Sequence, residues 1–277
     1  MNPAHVVARA AEYLGRHGVE SPRETAEVLL AFFLRTDRAG LYARKEGLDT
    51  RTAKLYGRAL CQRCHGVPLQ YLTGEQQFLD LVLGVAPGVF VPRPETEVVV
   101  ERALEAIEGI REPTVADVGT GTGAIALAIK RRRPDATVHA TDLSPDAVVA
   151  ATANASRHAL EVGIHQGDLL EPLLPGLRGN LDLVVSNPPY VTEEEYEDLP
   201  KEVRREPYLA LVGGTAVHAR LAASARQWLR PGGHLVVEIG AAQGPEVLDL
   251  LAAAGYAEME VLPDLAGRDR IVRGRHE

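Results

Sequence analysis

Apolar positions recur at three- and four-residue steps through most of residues 1–65. In ETAEVLLAFFLRT the residues Ala26, Leu29, Leu30 and Phe33 fall on one helical face. MNPAHVVARAAEYLGRHG reads the same way, as an amphipathic helix with charges scattered through it. Ser21-Pro22-Arg23-Glu24 carries a start signal: Ser21 caps, Pro22 fits the first turn and Glu24 closes a capping box. The pattern predicts a bundle of four or five helices. It changes over QQFLDLVLGVAPGVFVPRPE, residues 76–95, where short β-type runs flank Ala86-Pro87-Gly88. That arrangement predicts a hairpin, placed as the joint between the helical part and the rest of the chain.

From residue 114 strands and helices alternate. TVADVG, TVHATD, LDLVVSN and GGHLVVEIG are β-rich, and AIALAIKRRR, PDAVVAATANASRHA and AVHARLAASARQWLR between them are helical. Such alternation predicts an α/β fold with a parallel sheet covered by helices on both faces. After PEVLDLLAAAG come two close β-like runs, YAEMEVLPD and RDRIVRGR, which are expected to pair antiparallel. The chain is thus divided into a helical domain (1–75), a β-hairpin linker (76–95) and an α/β domain (96–277).

Composition narrows the setting. No apolar run approaches the roughly 20 residues a bilayer needs, so no membrane partner is expected. The N-terminus lacks the basic start and apolar centre of a secretory signal, which makes the cytoplasm the default location. The net charge is −8, and it is uneven: residues 1–75 hold 11 Lys/Arg and 8 Asp/Glu, a surplus of +3, so the remainder carries −11. A domain gripping duplex phosphates would more often be basic, so stable nucleic-acid binding is not expected. Cys61 and Cys64 lie in LCQRCHG, formally a haem-attachment or redox pattern. With no export signal and too few thiols for a structural zinc site, they read as the end of a helix, and no metal is expected.

The candidate chemistry sits at predicted strand ends. Gly119, Thr120, Gly121, Thr122 and Gly123 close the first strand of the alternation and open a helix, where glycines let a ligand approach the backbone. Asp142 ends the next strand, placed to hold ribose hydroxyls. This pair alone fits a nicotinamide dinucleotide as well as S-adenosylmethionine. Asp168-Leu169 follows the third strand, with an acid to accept from an adenine amino group and an apolar cover for the purine.

The fourth strand ends on Asn187-Pro188-Pro189-Tyr190, which dinucleotide enzymes do not need. Two prolines donate no ladder hydrogen bonds, so the strand stops there. A planar nitrogen conjugated to a carbonyl or aromatic ring is a poor nucleophile. Two acceptors that hold its N–H groups can aim it at a methyl donor. The Asn187 side-chain oxygen and the Pro188 carbonyl supply them, the prolines fix the backbone, and Tyr190 offers a flat face for packing. The strand end reads as an acceptor clamp for an NH2 group.

PLQYLTGEQQF at 68–78, VPRPETE at 91–97, DVGTGTGAIALA at 117–128, SNPPYV at 186–191 and EPYLAL at 206–211 together resemble the HemK family, glutamine N5-methyltransferases that act on peptide-chain release factors. The resemblance spans almost the whole chain. It implies a Rossmann-like class I methyltransferase sheet, mostly parallel with an antiparallel last strand, and S-adenosylmethionine as cofactor. It implies cofactor contacts from Gly119 to Gly123, Asp142, Asp168, Leu169 and Asn187. Contacts to the glutamine of a Gly-Gly-Gln loop are implied from Asn187, Pro188, Pro189 and Tyr190, with recognition of the release factor by the helical domain. Methylation of a ribosomal-protein glutamine and N6-methylation of adenine in nucleic acid are the alternatives. The chain departs from the family at Arg205, where an aromatic often precedes Glu-Pro, and at Leu169, where some relatives place an aromatic. Arg93, Glu95 and Glu206 either order the backbone or line the pocket.

Overall fold

The Asn2 side chain accepts the Ala4 amide at 2.9 Å and Pro3 stands in the first turn, so the first helix, α1 (Pro3–Arg16), begins at a satisfied cap. The computed structural model describes residues 2–277. Four more helices come next: α2 (Pro22–Leu34), α3 (Arg38–Ala43), α4 (Thr50–Cys64) and α5 (Leu69–Thr73). Val7, Ala10, Leu14, Ala26, Leu29, Leu30 and Leu41 close a small core around the buried ring of Tyr56, whose hydroxyl donates to the Ala26 carbonyl. Asp37 and Asp49 cap α3 and α4 by accepting the amides of Gly40 and Thr52. The predicted capping box at Ser21 does not form. Ser21 takes a left-handed conformation (φ 45°) that turns its hydroxyl away, leaving Pro22 to start α2.

The chain divides into two units, Met1–Glu75 with Pro200–Arg205, and Gln76–Leu199 with Glu206–Glu277. Within the first, the returning segment is held by an ion pair from Arg63 to Glu202 and by Arg205, which donates to the His65 carbonyl. Cys61 and Cys64 close α4 as free thiols.

The second unit takes in all but the first residue of β1 (Glu75–Phe78), its hairpin partner β2 (Leu81–Gly84) and a helix, α6 (Glu95–Ala106). The hairpin turns at Leu79-Asp80, not at the expected Ala86-Pro87-Gly88. Leu79 adopts φ 50°, and the Glu97 carboxylate accepts its amide at 2.9 Å, so a distant acid rather than a glycine supports the turn. Pro87-Gly88 makes only a loop turn, closed by the Val89 amide on the Ala86 carbonyl. The hairpin is also more than a joint, because Phe78, Leu81 and Leu83 are buried in the core of this unit.

The α/β part runs through β3 (Thr114–Val118), α7 (Ala124–Arg132), β4 (Thr137–Asp142), α8 (Pro145–His158), β5 (Gly163–Gln166), β6 (Leu181–Ser186), α9 (Glu193–Asp198), α10 (Tyr208–Leu211), α11 (Gly214–Trp228), β7 (Leu229–Glu238), α12 (Gly244–Ala253), β8 (Tyr256–Pro263) and β9 (Asp269–His276). Seven strands form one sheet in the order β5-β4-β3-β6-β7-β9-β8, with β9 the antiparallel member between β7 and β8. Strand residues alternate between two cores, as a sheet covered on both faces requires. Leu183, Val185 and Val236 face α6, α7 and the hairpin, whereas Val184, Leu235 and Val237 face α11 and α12. Strand order reverses between β3 and β6, and the crevice outside strand C-termini at such a switch point is where open α/β sheets bind ligands.

Candidate active site

Val118 pairs with Ser186 and with Thr141, and Ser186 with Val237, so β3, β4, β6 and β7 end side by side. The Ser186 hydroxyl donates to the Val118 carbonyl at 2.7 Å, tying the switch-point strands together at their tips. Gly119–Gly123, Asp142, Asn187–Tyr190 and Glu238 therefore occupy one edge of the sheet. Asp168-Leu169 comes after β5 on the same edge, one strand beyond β4.

The glycine loop is shaped from below. Asp117, fully buried at the base of the loop, accepts the Thr120 hydroxyl at 2.6 Å and the Ala126 amide at 3.1 Å. Burial pushes its carboxyl up to about 7, against the pull of those two hydrogen bonds. Thr120 and Thr122 turn their side chains inward and are buried, so any contact they make with a ligand is through the backbone. Gly119 and Gly121 take φ of +70° and +57°, and nothing lies within 4 Å of where a side chain would begin, so their backbone is open to a ligand. Asp142 accepts the Gly121 amide at 2.8 Å and the Ser144 amide at 2.9 Å, and burial raises its carboxyl. The next residue is Leu143, an apolar side chain 61% exposed on the same edge, which the sequence reading passed over.

Asp168 pairs with Arg220 through one carboxylate oxygen at 2.5 Å, so an adenine amino group would share this acid with a guanidinium. Leu169 (φ 48°) is half-buried, packed against the core that includes Leu170 and Leu173 and still partly exposed.

Behind Asn187 lies a buried polar cluster that sequence reasoning missed. Asn187 Nδ2 donates to Thr96 Oγ1 at 3.1 Å, and Thr96 Oγ1 donates to Glu238 Oε2 at 2.7 Å. The Tyr190 hydroxyl reaches Glu238 Oε1 at 3.2 Å. The Gln243 side chain bridges, donating to the Tyr190 carbonyl at 2.8 Å and accepting the Gly240 amide at 2.8 Å. Burial pushes Glu238 up to about 7, although hydrogen bonds from Thr96 and Tyr190 and the charge of Arg270 draw it down. Burial, reinforced by the Glu238 charge, raises the Tyr190 phenol, which stays neutral. The signals were present in the sequence: Thr96 lies inside VPRPETE, and Glu238 is an acid ending an apolar strand, as Asp142 is.

Of the remaining sequence candidates, Glu206 and Arg93 meet at the backbone of the loop before α6. Glu206, 5% exposed, accepts the Val91 amide at 3.0 Å and pairs with Arg93, clasping the loop before α6 to the chain after α9. Glu95 forms a partly exposed ion pair with Arg268 at 3.5 Å. Pro188 is buried, and Gly213 passes so close to Pro189 that a side chain would begin 2.5 Å from its carbonyl oxygen.

Two family models match the chain, the PrmC N-terminal domain over residues 5–74 and the methyltransferase small domain over residues 86–203. A release factor glutamine methyltransferase of Moorella thermoacetica is 45% identical over 98% of this chain and 97% of its own length. A protein of the same description from Deinococcus radiodurans is 39% identical over 98% and 97%. Among solved structures, a Thermus thermophilus 16S rRNA N2 G1207 methyltransferase superposes with a TM-score of 0.56 at 21% identity, over 73% of this chain and 50% of the other. That likeness shows the fold.

Proposed function

The chain belongs to the family of release factor glutamine methyltransferases, and on that premise we propose that it transfers a methyl group from S-adenosylmethionine to the side-chain amide nitrogen of the Gly-Gly-Gln glutamine in peptide-chain release factors. The observation that carries the reading is the register Val118↔Ser186, which sets the open glycine loop directly beside Asn187-Pro188-Pro189-Tyr190.

The residues fit the cofactor. The bare backbone of Gly119 and Gly121 accommodates its amino-acid end, Asp142 retains lone pairs for ribose hydroxyls, and Leu143 and Leu169 offer apolar cover for the base. When bound, the cofactor supplies a methyl group on a positively charged sulfur. The protein holds the nucleophile. The Asn187 oxygen and the Pro188 carbonyl accept the two amide hydrogens of the glutamine, orienting its nitrogen, and Tyr190 packs against the amide plane. Holding reactants in near-attack geometry lowers a barrier by roughly 7–11 kcal/mol in favourable cases. No general base is required, since the amide proton is lost after the nitrogen has become cationic. The unit that carries these residues has a net charge of −13, because Lys201, Arg204 and Arg205 against Glu202 raise the helical unit to +5. That balance disfavours a flipped base in duplex DNA as substrate.

The experiment is incubation with methyl-labelled cofactor and, separately, purified release factor, ribosomal proteins and DNA. Label on the Gly-Gly-Gln glutamine is expected. No label on any release factor would overturn the reading. Asn187→Ala should abolish transfer while weakening cofactor binding only moderately, and a variant with near-native turnover would remove Asn187 from its role.

A further inference from the structure

The clamp needs Asn187 to present its oxygen, not its NH2 group, to the substrate amide. The two ends of an asparagine side chain are nearly the same shape, so packing alone does not choose between them. The choice is made behind it. Glu238 ends β7 and is 1% exposed, and an ionised carboxylate can only accept. It receives the Thr96 hydroxyl at 2.7 Å and the Tyr190 hydroxyl at 3.2 Å, one on each oxygen. A threonine hydroxyl has one hydrogen. Committed to Glu238, it leaves Thr96 Oγ1 only lone pairs to offer Asn187, which must then turn its NH2 inward, as the 3.1 Å contact from Nδ2 has it. The Asn187 oxygen is thereby turned away from Thr96.

We propose that Glu238 and Thr96 are positioning residues for methyl transfer: the buried carboxylate sets the direction of a hydrogen-bond chain through Thr96 that fixes which end of the Asn187 amide meets the substrate. This rests on the reading of Asn187 as the acceptor for the substrate NH2. Protonation of Glu238 undoes the direction. The carboxyl can then donate to Thr96, whose own hydrogen becomes available to Asn187, and the amide reverses to set donor against donor. Thr96 and Glu95 face Glu238 from α6 and Tyr190 from the loop after β6. Arg270 does so from β9, and His218 of α11 holds the Glu238 backbone carbonyl. With burial raising Glu238 to about 7, the reversal is centred near neutral pH and completes as pH falls below it.

The test compares wild type with Thr96→Val, Thr96→Ser, Glu238→Gln and Asn187→Ala on intact release factor, with the cofactor dissociation constant measured for each as the report of a folded site. Thr96→Val should lower kcat about 10–100-fold, the weight of one misdirected hydrogen bond. Its KM and cofactor affinity should stay near native. Thr96→Ser, which keeps the donor and acceptor, should restore kcat to within a few-fold. Wild-type kcat should fall as pH drops through about 7, and Glu238→Gln should be slower at alkaline pH and lack that fall. Thr96→Val with native kcat, Thr96→Ser no better than Thr96→Val, or an unchanged pH profile in Glu238→Gln would overturn the proposal. Should Thr96→Val fail to fold, the Thr96→Ser and Glu238→Gln arms still decide. An inactive Asn187→Ala beside a fully active Thr96→Val sinks this inference alone, whereas a fully active Asn187→Ala sinks the clamp itself.

Discussion

At the scale of single residues, the chemistry divides into what is local in the chain and what is not. Asn187-Pro188-Pro189-Tyr190 is legible because a strand, its stop and its acceptors are contiguous, and because the order of strand ends places it after the glycine loop. Thr96 and Glu238 stand 142 positions apart and meet only where the start of α6 reaches the end of β7. Asp117 is a third case, legible as part of a motif but not as a buried charge. Its folded form holds a proton up to about 7, well above the ordinary aspartate value of 3.8. Between those values the folded state binds more protons than the unfolded chain. The stability Asp117 contributes is therefore fully present below the unfolded value and is lost as pH rises through the folded one, by up to about 1.4 kcal/mol per pH unit. Asp117→Asn should gain on wild type steadily between pH 4 and 7 in urea unfolding, whatever constant offset the lost carboxylate adds. A pH-independent difference would contradict the assignment.

At the scale of elements, the sheet was readable from short β-rich runs alternating with helical stretches, because a parallel strand such as Leu181–Ser186 is buried on both faces and so is apolar nearly throughout. The N-terminal helices were readable from three- and four-residue steps, because only one face of each meets a core. What escaped was supported by partners far away in sequence. The Leu79 turn has no glycine or asparagine and depends on Glu97, and Ser21 carries the residue type of a cap but not its conformation. Asn154 on α8 shows how far such support extends. It accepts the Gly84 amide at 2.7 Å and donates to the carbonyls of Gly84 and Thr122 at 3.1 and 2.9 Å, pinning the end of β2 to the glycine loop. Asn154→Ala strands these groups in a buried site, and each unsatisfied group costs about 1–3 kcal/mol. Denaturant unfolding should show at least one such loss, and a cofactor titration should show weaker binding because Thr122 is released. Native affinity in a destabilised variant would separate the hairpin from the loop.

At the scale of the whole molecule, two units with separate cores share a chain that crosses between them three times, after residues 75, 199 and 205. Two calorimetric transitions are expected, and S-adenosylmethionine should raise only the one belonging to the α/β unit. Saturation at 100 times the dissociation constant adds about 2.7 kcal/mol to the state that binds. A single transition moved as a whole would mean the units unfold as one. The sheet order adds a constraint of another kind. Because β9 is inserted between β7 and β8, the strand before it has no neighbour of its own to join when it leaves the ribosome. Residues 256–263 must wait, unpaired, until 269–276 arrive to bridge them to the rest. Assembly in order of synthesis is ruled out for this edge, and a chain halted before residue 269 would leave one margin of β7 and both margins of β8 open to pairing with other chains.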